Sequence, residues 1–68
     1  MRTGTVKRFH EEKGFGFITP DDGSEEIYFS YTEIQTVGPK TVKEGQRVTY
    51  EIALGTSGRL FAIQILPR

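Results

Sequence analysis

The chain has 68 residues, of which 35% are hydrophobic and 26% are charged, and its nine basic and nine acidic side chains cancel. A chain of this length is expected to form one domain, over residues 1–68, and to bury only about 60% of the surface that the unfolded chain exposes. Zero net charge argues against a strongly basic coat for duplex DNA, and the lack of cysteine excludes disulfides and thiolate metal sites. Because no apolar run is long enough to span a membrane and no secretory signal is visible, we expect a cytoplasmic protein.

Three segments in the first half of the chain have the composition of β-strands. Residues 3–9 alternate and are rich in β-branched side chains, and residues 13–19 and 26–31 follow the same pattern. The stretch 20–24 reads Pro-Asp-Asp-Gly-Ser, which is typical of a turn, and residues 10–14 are expected to form a turn between the first two strands.

The second half of the chain predicts two more strands after a loop. Thr32 to Ile34 form at most one helical turn, because Gly38 and Pro39 interrupt a helix. The predicted elements that follow are a loop over 35–45, a strand over 47–54, a tight connection over 55–58 and a strand over 60–66. Five short strands with closely spaced turns predict an all-β fold. At this length a small five-stranded antiparallel β-barrel is easier to fill than two separate sheets.

Alternation along the strands predicts which side chains face the interior. Phe15 and Phe17 lie two residues apart and therefore share one face of the second strand. If that face were the core, Lys7 would be buried and Ile18 and Ile27 would meet water. The expected interior is Val6, Ile18, Ile27, Phe29, Val48, Tyr50 and Ile52. The expected outer face carries Phe15, Phe17 and Tyr28, with Lys7, Arg8, Phe9, Lys13 and Tyr31 near its rim.

Aromatic rings on the outside of a small barrel suit the flat faces of unpaired bases. Stacking of a base on an aromatic ring contributes roughly 1–3 kcal/mol and tolerates any sequence. Gly14 and Gly16 are expected to leave the backbone between the rings open to a base, and Lys7, Arg8 and Lys13 to meet phosphates. Coverage of the same rings by residues 35–45 or by a dimer partner is the alternative.

Several stretches of the sequence carry a family resemblance. Gly4-Thr5-Val6-Lys7, Phe9 and the run from Lys13 to Ser24 closely resemble the bacterial cold shock proteins, and residues 44–48 are similar to the fourth strand of that family. The similarity is ungapped to about residue 55. It implies an OB-fold barrel that binds single-stranded RNA or DNA through two ribonucleoprotein motifs, as an RNA chaperone or a transcription antiterminator.

The resemblance places the two motifs at residues 13–18 and 27–31. Together, the resemblance and the side-chain pattern predict these nucleic-acid-binding residues: Lys7, Arg8, Phe9, His10, Lys13, Phe15, Phe17, Tyr28, Ser30, Tyr31, Lys40 and Arg59.

The chain also departs from the family pattern. Arg8 stands where the family usually has tryptophan, and His10 stands where it has asparagine. The second motif, usually Phe-Val-His-Phe, here begins at Tyr28 and has serine for the histidine, and Pro39 replaces a loop phenylalanine. Three stacking groups are thus lost or exchanged, which predicts weaker binding.

The last strand is unusually apolar for the family. A one-residue shift aligns Gln64 with a family asparagine and turns Ile63 and Ile65 inward. As an apolar edge, this strand is expected to allow a homodimer or a strand-swapped oligomer.

The sequence gives little support to catalysis or to a cofactor. His10 is the only histidine, so a histidine metal site or a catalytic triad is not expected. The acidic residues between 21 and 26 lack the spacing of a calcium loop, and the lysine at 13 precedes its glycines, unlike a phosphate-binding loop. Two hypotheses therefore stay open: a module for single-stranded nucleic acid, and a protein–protein or oligomerisation module.

Overall fold

A computed structural model describes residues 1–36, 38 and 40–68, so Pro39, one of the departures from the family pattern, lies outside the described residues. The elements are strands β1 (Arg2–His10), β2 (Phe15–Pro20), β3 (Ile27–Ser30), β4 (Arg47–Leu54) and β5 (Leu60–Pro67), with a 3₁₀ helix (Tyr31–Glu33) after β3. The strands close into a barrel in the order β1-β2-β3-β5-β4. None of the described segments forms a helix that is both long and apolar enough to cross a membrane.

The predicted fold class, a small all-β barrel of five strands, is confirmed, but one ladder departs from the antiparallel pattern. β3 and β5 run parallel, with Tyr28 opposite Phe61 and Phe29 opposite Ala62. The reason is geometric. Strands that alternate in direction cannot close a ring with an odd number of members, so one neighbouring pair of the five must be parallel.

The expectation that the last strand is an edge is wrong. β5 pairs with β4 from Leu60, opposite Leu54, to Pro67, opposite Val48. On its other side it pairs with β3, and Ile65 adds an isolated parallel bridge to Ile34. A second chain that paired with β5 would first have to displace one of these partners.

The core follows the predicted alternation and extends beyond it. Six of the seven side chains predicted to be inside are buried, and Ile52 packs against them as a partly buried neighbour. Ile34 and Val42 are also buried, although they come from the segment between β3 and β4. The buried cluster consists of Val6, Ile18, Ile27, Phe29, Ile34, Val42, Val48, Tyr50, Ala62 and Ile65.

A bulge in β5 decides which of its isoleucines face inward. Thr49 is opposite Leu66 and Glu51 is opposite Ile63, so two residues of β5, Gln64 and Ile65, face one residue of β4. Gln64 has a φ of 51°, the only positive value at a described non-glycine residue. The extra residue lets Ile65 point into the core, whereas Ile63 is only partly buried. The expectation that Ile63 faces inward is wrong.

Candidate nucleic-acid interface

A second bulge, in β1, sets which side chains of that strand reach the outer face. Val6 is opposite Ile18, but the next paired residue, Arg8, is opposite Phe17, so Lys7 is the extra residue. Strict alternation from the buried Val6 would turn Arg8 inward. The bulge instead turns it outward, and Arg8 is exposed next to Phe17.

Beyond the bulge, the β1–β2 and β2–β3 ladders bring four rings onto one outer surface. His10 is opposite Phe15, and Phe17 is opposite Tyr28. The centroids of Phe15 and Tyr28 are 5.7 Å apart with planes inclined at 27°, and Phe17 meets both rings edge-on at 6.0 Å. His10 contacts Phe15 at 5.0 Å. We call these four rings, His10, Phe15, Phe17 and Tyr28, the aromatic platform.

The aromatic platform lies outside the barrel, where Phe15, Phe17 and Tyr28 were predicted to be. Tyr28 is 37% exposed, and Phe15, Phe17 and His10 are partly exposed. None of these rings belongs to the buried cluster, which lies on the opposite face of the same strands. The platform is therefore a partly exposed aromatic surface on the outside of the barrel.

The two glycines of the motif serve packing, so the expectation that they leave room for a base is wrong. A Cβ on Gly16 would lie 2.4 Å from the carbonyl oxygen of Arg8 and 2.8 Å from the buried ring of Phe29. Gly16 therefore faces the interior, where its small size lets that ring approach the strand. Gly14 has a φ of 74°, and the ring of Tyr31 covers it.

Phe9 and Tyr31 form a second group, separate from the platform. The β1 bulge turns Phe9 inward, and its ring stacks parallel to Phe29 with centroids 5.8 Å apart. Phe9 thus packs against the core, although it keeps partial exposure and lines a cavity of about 490 Å³ with Lys13, Tyr31 and Lys40, and with the acidic Glu11 and Glu12. We call this space the lysine cavity. Tyr31 is 46% exposed there.

The basic side chains of Lys7 and Arg47 are held in ion pairs with acidic ones. Lys7 Nζ lies 2.6 Å from a carboxylate oxygen of Glu26. Arg47 pairs with Asp21, and Nη1 of this arginine lies 2.6 Å from Oδ1. Asp21 also accepts a hydrogen bond from the hydroxyl of Thr3, and these bonds, that of Arg47 first, lower its pKa from 3.8 to about 2.

Four of the cations predicted to bind nucleic acid keep free side chains. No hydrogen bond or ion pair joins them to another residue within the part of the chain that the structure describes. They are Arg8, Lys13, Lys40 and Arg59, and all four are exposed.

Ser30 and Arg59 lie at opposite margins of the platform. Ser30 is opposite Phe15, but its hydroxyl accepts from the backbone N–H of Thr32 at 3.4 Å and so caps the 3₁₀ helix. Arg59 precedes β5 and lines, with Phe17 and Tyr28, a groove of about 610 Å³ whose lining also includes Asp22, Glu25 and Glu26.

One outward ring, Phe61, was not predicted as part of the site. It is opposite Tyr28 across the parallel β3–β5 ladder. Alternation alone places Phe61 outside, because the next residue, Ala62, is buried. Its neighbour on β3 is set by the parallel register, which no local pattern in the sequence indicates.

The described residues contain no group of three or more histidine, aspartate or glutamate side chains arranged to hold a metal ion.

Known proteins are similar to this chain in both sequence and fold. The model of the 'Cold-shock' DNA-binding domain matches residues 2–66. The chain is 56% identical over 55 residues to the cold shock-like protein CspE of Escherichia coli (strain K12), which covers 81% of this chain and 80% of that protein. It is 55% identical over 58 residues to the cold shock protein of Arthrobacter globiformis, with 85% and 87% covered.

Among solved structures, the chain resembles one described as drosophila Unr CSD456. The TM-score is 0.81 at 25% sequence identity, and the match covers 98% of this chain. The same match covers 26% of the other chain, so this protein spans about a quarter of that structure's length.

Proposed function

The chain belongs to the cold-shock DNA-binding domain family, and we propose that it binds single-stranded RNA or DNA by stacking unpaired bases on the aromatic platform. The observation that carries this proposal is the mutual contact of Phe15, Phe17 and Tyr28 on the outside of a closed barrel. A small domain gains little by leaving three such rings in water. Bases of a duplex are already stacked on one another, so the surface selects strands whose bases are free.

The cations without an ion-pair partner provide contacts for the nucleic-acid backbone beyond the platform. Arg8 lies beside Phe17, and Lys13 and Lys40 line the lysine cavity with the exposed Tyr31. We infer that the backbone runs along these charges while bases stack between them. The resulting affinity falls as salt rises, because binding displaces counterions from phosphates.

Stacking of this kind distinguishes bases weakly, which suits an RNA chaperone of the cytoplasm. Such a protein lowers the population of paired RNA by holding its unpaired form. Loss of the family tryptophan at position 8 removes a stack that contributes roughly 1–3 kcal/mol, so the binding we propose is weaker than in relatives that keep it.

The direct test is titration with oligothymidine, followed by NMR of the aromatic side chains. We expect Phe15→Ala and Phe17→Ala each to lose roughly 1–3 kcal/mol of binding free energy. Leu66→Ala is the matched control, because Leu66 is 41% exposed on β5 at a distance from the platform. Unshifted platform resonances at high oligonucleotide concentration would overturn the proposal.

Chaperone activity needs its own measurement. An RNA hairpin labelled with a fluorophore and a quencher should open more readily with the protein present, and the double variant Phe15→Ala/Phe17→Ala should lose this effect. Tight oligothymidine binding without hairpin opening would retain the binding proposal and remove the chaperone role.

A protein–protein module is the second candidate, and one observation favours it. Leu54 and Leu60 face each other at the end of the β4–β5 hairpin and are 70% and 50% exposed. Sedimentation equilibrium decides between the two. A stable dimer that Leu60→Ser dissociates, together with no oligonucleotide binding, would favour this candidate.

A further inference from the structure

Phe61 extends the outer aromatic surface onto a strand that lies beyond the aromatic platform. It is opposite Tyr28 in the parallel β3–β5 ladder. Neighbouring strands in a sheet lie about 4.8 Å apart, and paired residues in a ladder point to the same side. The buried Ala62 that follows confirms the direction, since it points inward and Phe61 therefore points outward.

The ring of Phe61 is partly exposed, and its neighbours are small. On β4 it faces Ala53, and a Cβ added to Gly55 would lie 3.5 Å from the ring, at ordinary contact distance. Within the described residues no second aromatic ring contacts it, in contrast to the four rings of the platform. A large apolar ring that lies beside small residues and is partly exposed to solvent is the kind of surface on which a base stacks favourably.

A free cation is near this ring in the chain. Arg59 is two residues before Phe61, is exposed, and lines the groove that also reaches Phe17 and Tyr28. The carboxylates of Asp22, Glu25 and Glu26 line the same groove. Its guanidinium forms no ion pair with another described residue, whereas Lys7 is held by Glu26. A phosphate between a base on Tyr28 and a base on Phe61 would lie within the region that this arginine samples.

We propose that Phe61 forms a further stacking subsite for one base of a single strand, and that Arg59 contacts the phosphate that leads to it. The strand crosses the aromatic platform, passes Tyr28 and follows the curve of the barrel onto β5. This inference rests on the proposed function and adds a length requirement to it. Only a strand long enough to cross the platform and continue past Tyr28 reaches the subsite.

The test is a series of oligothymidines of about 4 to 16 nucleotides, the range of site sizes found for OB-folds. The wild-type affinity should rise in one extra step once a strand reaches Phe61. Phe61→Ala should remove that step, a loss of roughly 5- to 150-fold for long strands, and leave short strands unchanged. Arg59→Gln should reduce the salt dependence for long strands only.

Two further variants separate stacking from packing. Phe61→Leu keeps an apolar side chain but has no aromatic face, so it should lose the step, whereas Phe61→Tyr should keep it. Phe61→Trp should show fluorescence quenching with long strands and none with short ones. Leu66→Ala is the control for a change on β5 away from the subsite.

Equal affinity of Phe61→Ala and wild type at every length would overturn the subsite while Phe15→Ala still weakens binding. Equal weakening at every length, accompanied by a lower free energy of unfolding, would also overturn it, because Phe61 would then act only through stability. If the wild-type protein binds no oligothymidine at any length, the proposed function fails together with the inference.

Discussion

Tyr28 stacks on Phe15 with ring centroids 5.7 Å apart, although its partner in the β2–β3 ladder is Phe17. The same ring meets the edge of Phe17 at 6.0 Å. Tyr28 therefore holds the two phenylalanines of β2 in a fixed arrangement from the neighbouring strand. Offset and edge-on ring pairs contribute roughly 0.5–1.5 kcal/mol each beyond the apolar area they bury.

The central position of Tyr28 gives the first prediction. We expect Tyr28→Ala to weaken oligothymidine binding by roughly 1–3 kcal/mol, because it removes one stacking surface and releases its neighbours. Tyr28→Phe keeps the ring and should bind as the wild type does. Fluorescence anisotropy with a labelled oligonucleotide measures both. An equal loss in the two variants would show that the hydroxyl, and not the ring, makes the contact.

Arg8 gives the second prediction, because the β1 bulge places it beside Phe17 at the margin of the platform. Arg8→Trp should strengthen binding by roughly 1–3 kcal/mol through one added stack, less the phosphate contact of the lost cation. Lys43→Trp is the control, since it adds the same ring at an exposed cation between the 3₁₀ helix and β4. If Arg8→Trp leaves the affinity unchanged, the missing family ring does not limit binding.

The ion pair between Lys7 and Glu26 gives the third prediction. The two side chains are 56% and 42% exposed, and a pair of this kind contributes only about 0–1 kcal/mol, so a phosphate can replace the carboxylate. Glu26→Gln should therefore raise affinity and steepen the dependence on salt by about one unit of slope. Lys7→Gln should change the affinity and the salt slope less than Lys13→Gln does. The reason is that the cation of Lys13 has no partner among the described residues. A strong dependence of the Lys13→Gln loss on base sequence would contradict a phosphate contact.

Gln64 gives the fourth prediction, on stability. Its φ of 51° lies in the left-handed region, which costs an ordinary residue roughly 1–2 kcal/mol and which asparagine tolerates better. Gln64→Asn should raise the free energy of unfolding by up to about 1 kcal/mol, measured by urea denaturation. Gln64→Val is the opposite control, since a β-branched side chain is least compatible with this conformation. If both variants raise the free energy of unfolding, the change comes from loss of the glutamine side chain and not from its backbone conformation.

Alternation was sufficient to predict the strands and the outer position of three platform rings, and the turn spacing and chain length were sufficient to predict the barrel. It was insufficient where a strand carries an extra residue. The bulge at Lys7 exchanges the sides of Arg8 and Phe9, and the bulge at Gln64 separates Ile65 from Ile63. The position of a bulge depends on how two strands pair. The side-chain pattern along one strand therefore does not indicate where a bulge lies.

The burial of two core residues could not be predicted from the sequence, whereas the existence of a parallel ladder could. Ile34 and Val42 are isolated apolar residues in a polar segment, and a single apolar residue has no period from which to infer burial. The parallel β3–β5 pairing, by contrast, follows from the number of strands once the barrel is assumed closed. Phe61 then becomes the neighbour of Tyr28 through a register that depends on the whole fold.

The hydrogen bonds of Asp21 give the last prediction, a dependence of stability on pH. Arg47 above all, and then Thr3, favour the charged carboxylate in the folded state and lower its pKa from 3.8 to about 2. The stabilisation is therefore complete above the unfolded pKa and is lost as the pH falls from 3.8 towards 2. In urea denaturation at a series of pH values, Asp21→Asn should be less stable than wild type near pH 7, and the difference should disappear across this acid range.

A double-mutant cycle with Arg47 identifies the source of this effect. In an Arg47→Gln background, Asp21→Asn should have a smaller effect near neutral pH, because the main partner of the carboxylate is already absent. Thr3→Val should reduce the effect less, since its hydroxyl is the second cause of the pKa shift. If Asp21→Asn costs as much stability without Arg47 as with it, the carboxylate acts through its place in the turn after β2 and not through the ion pair.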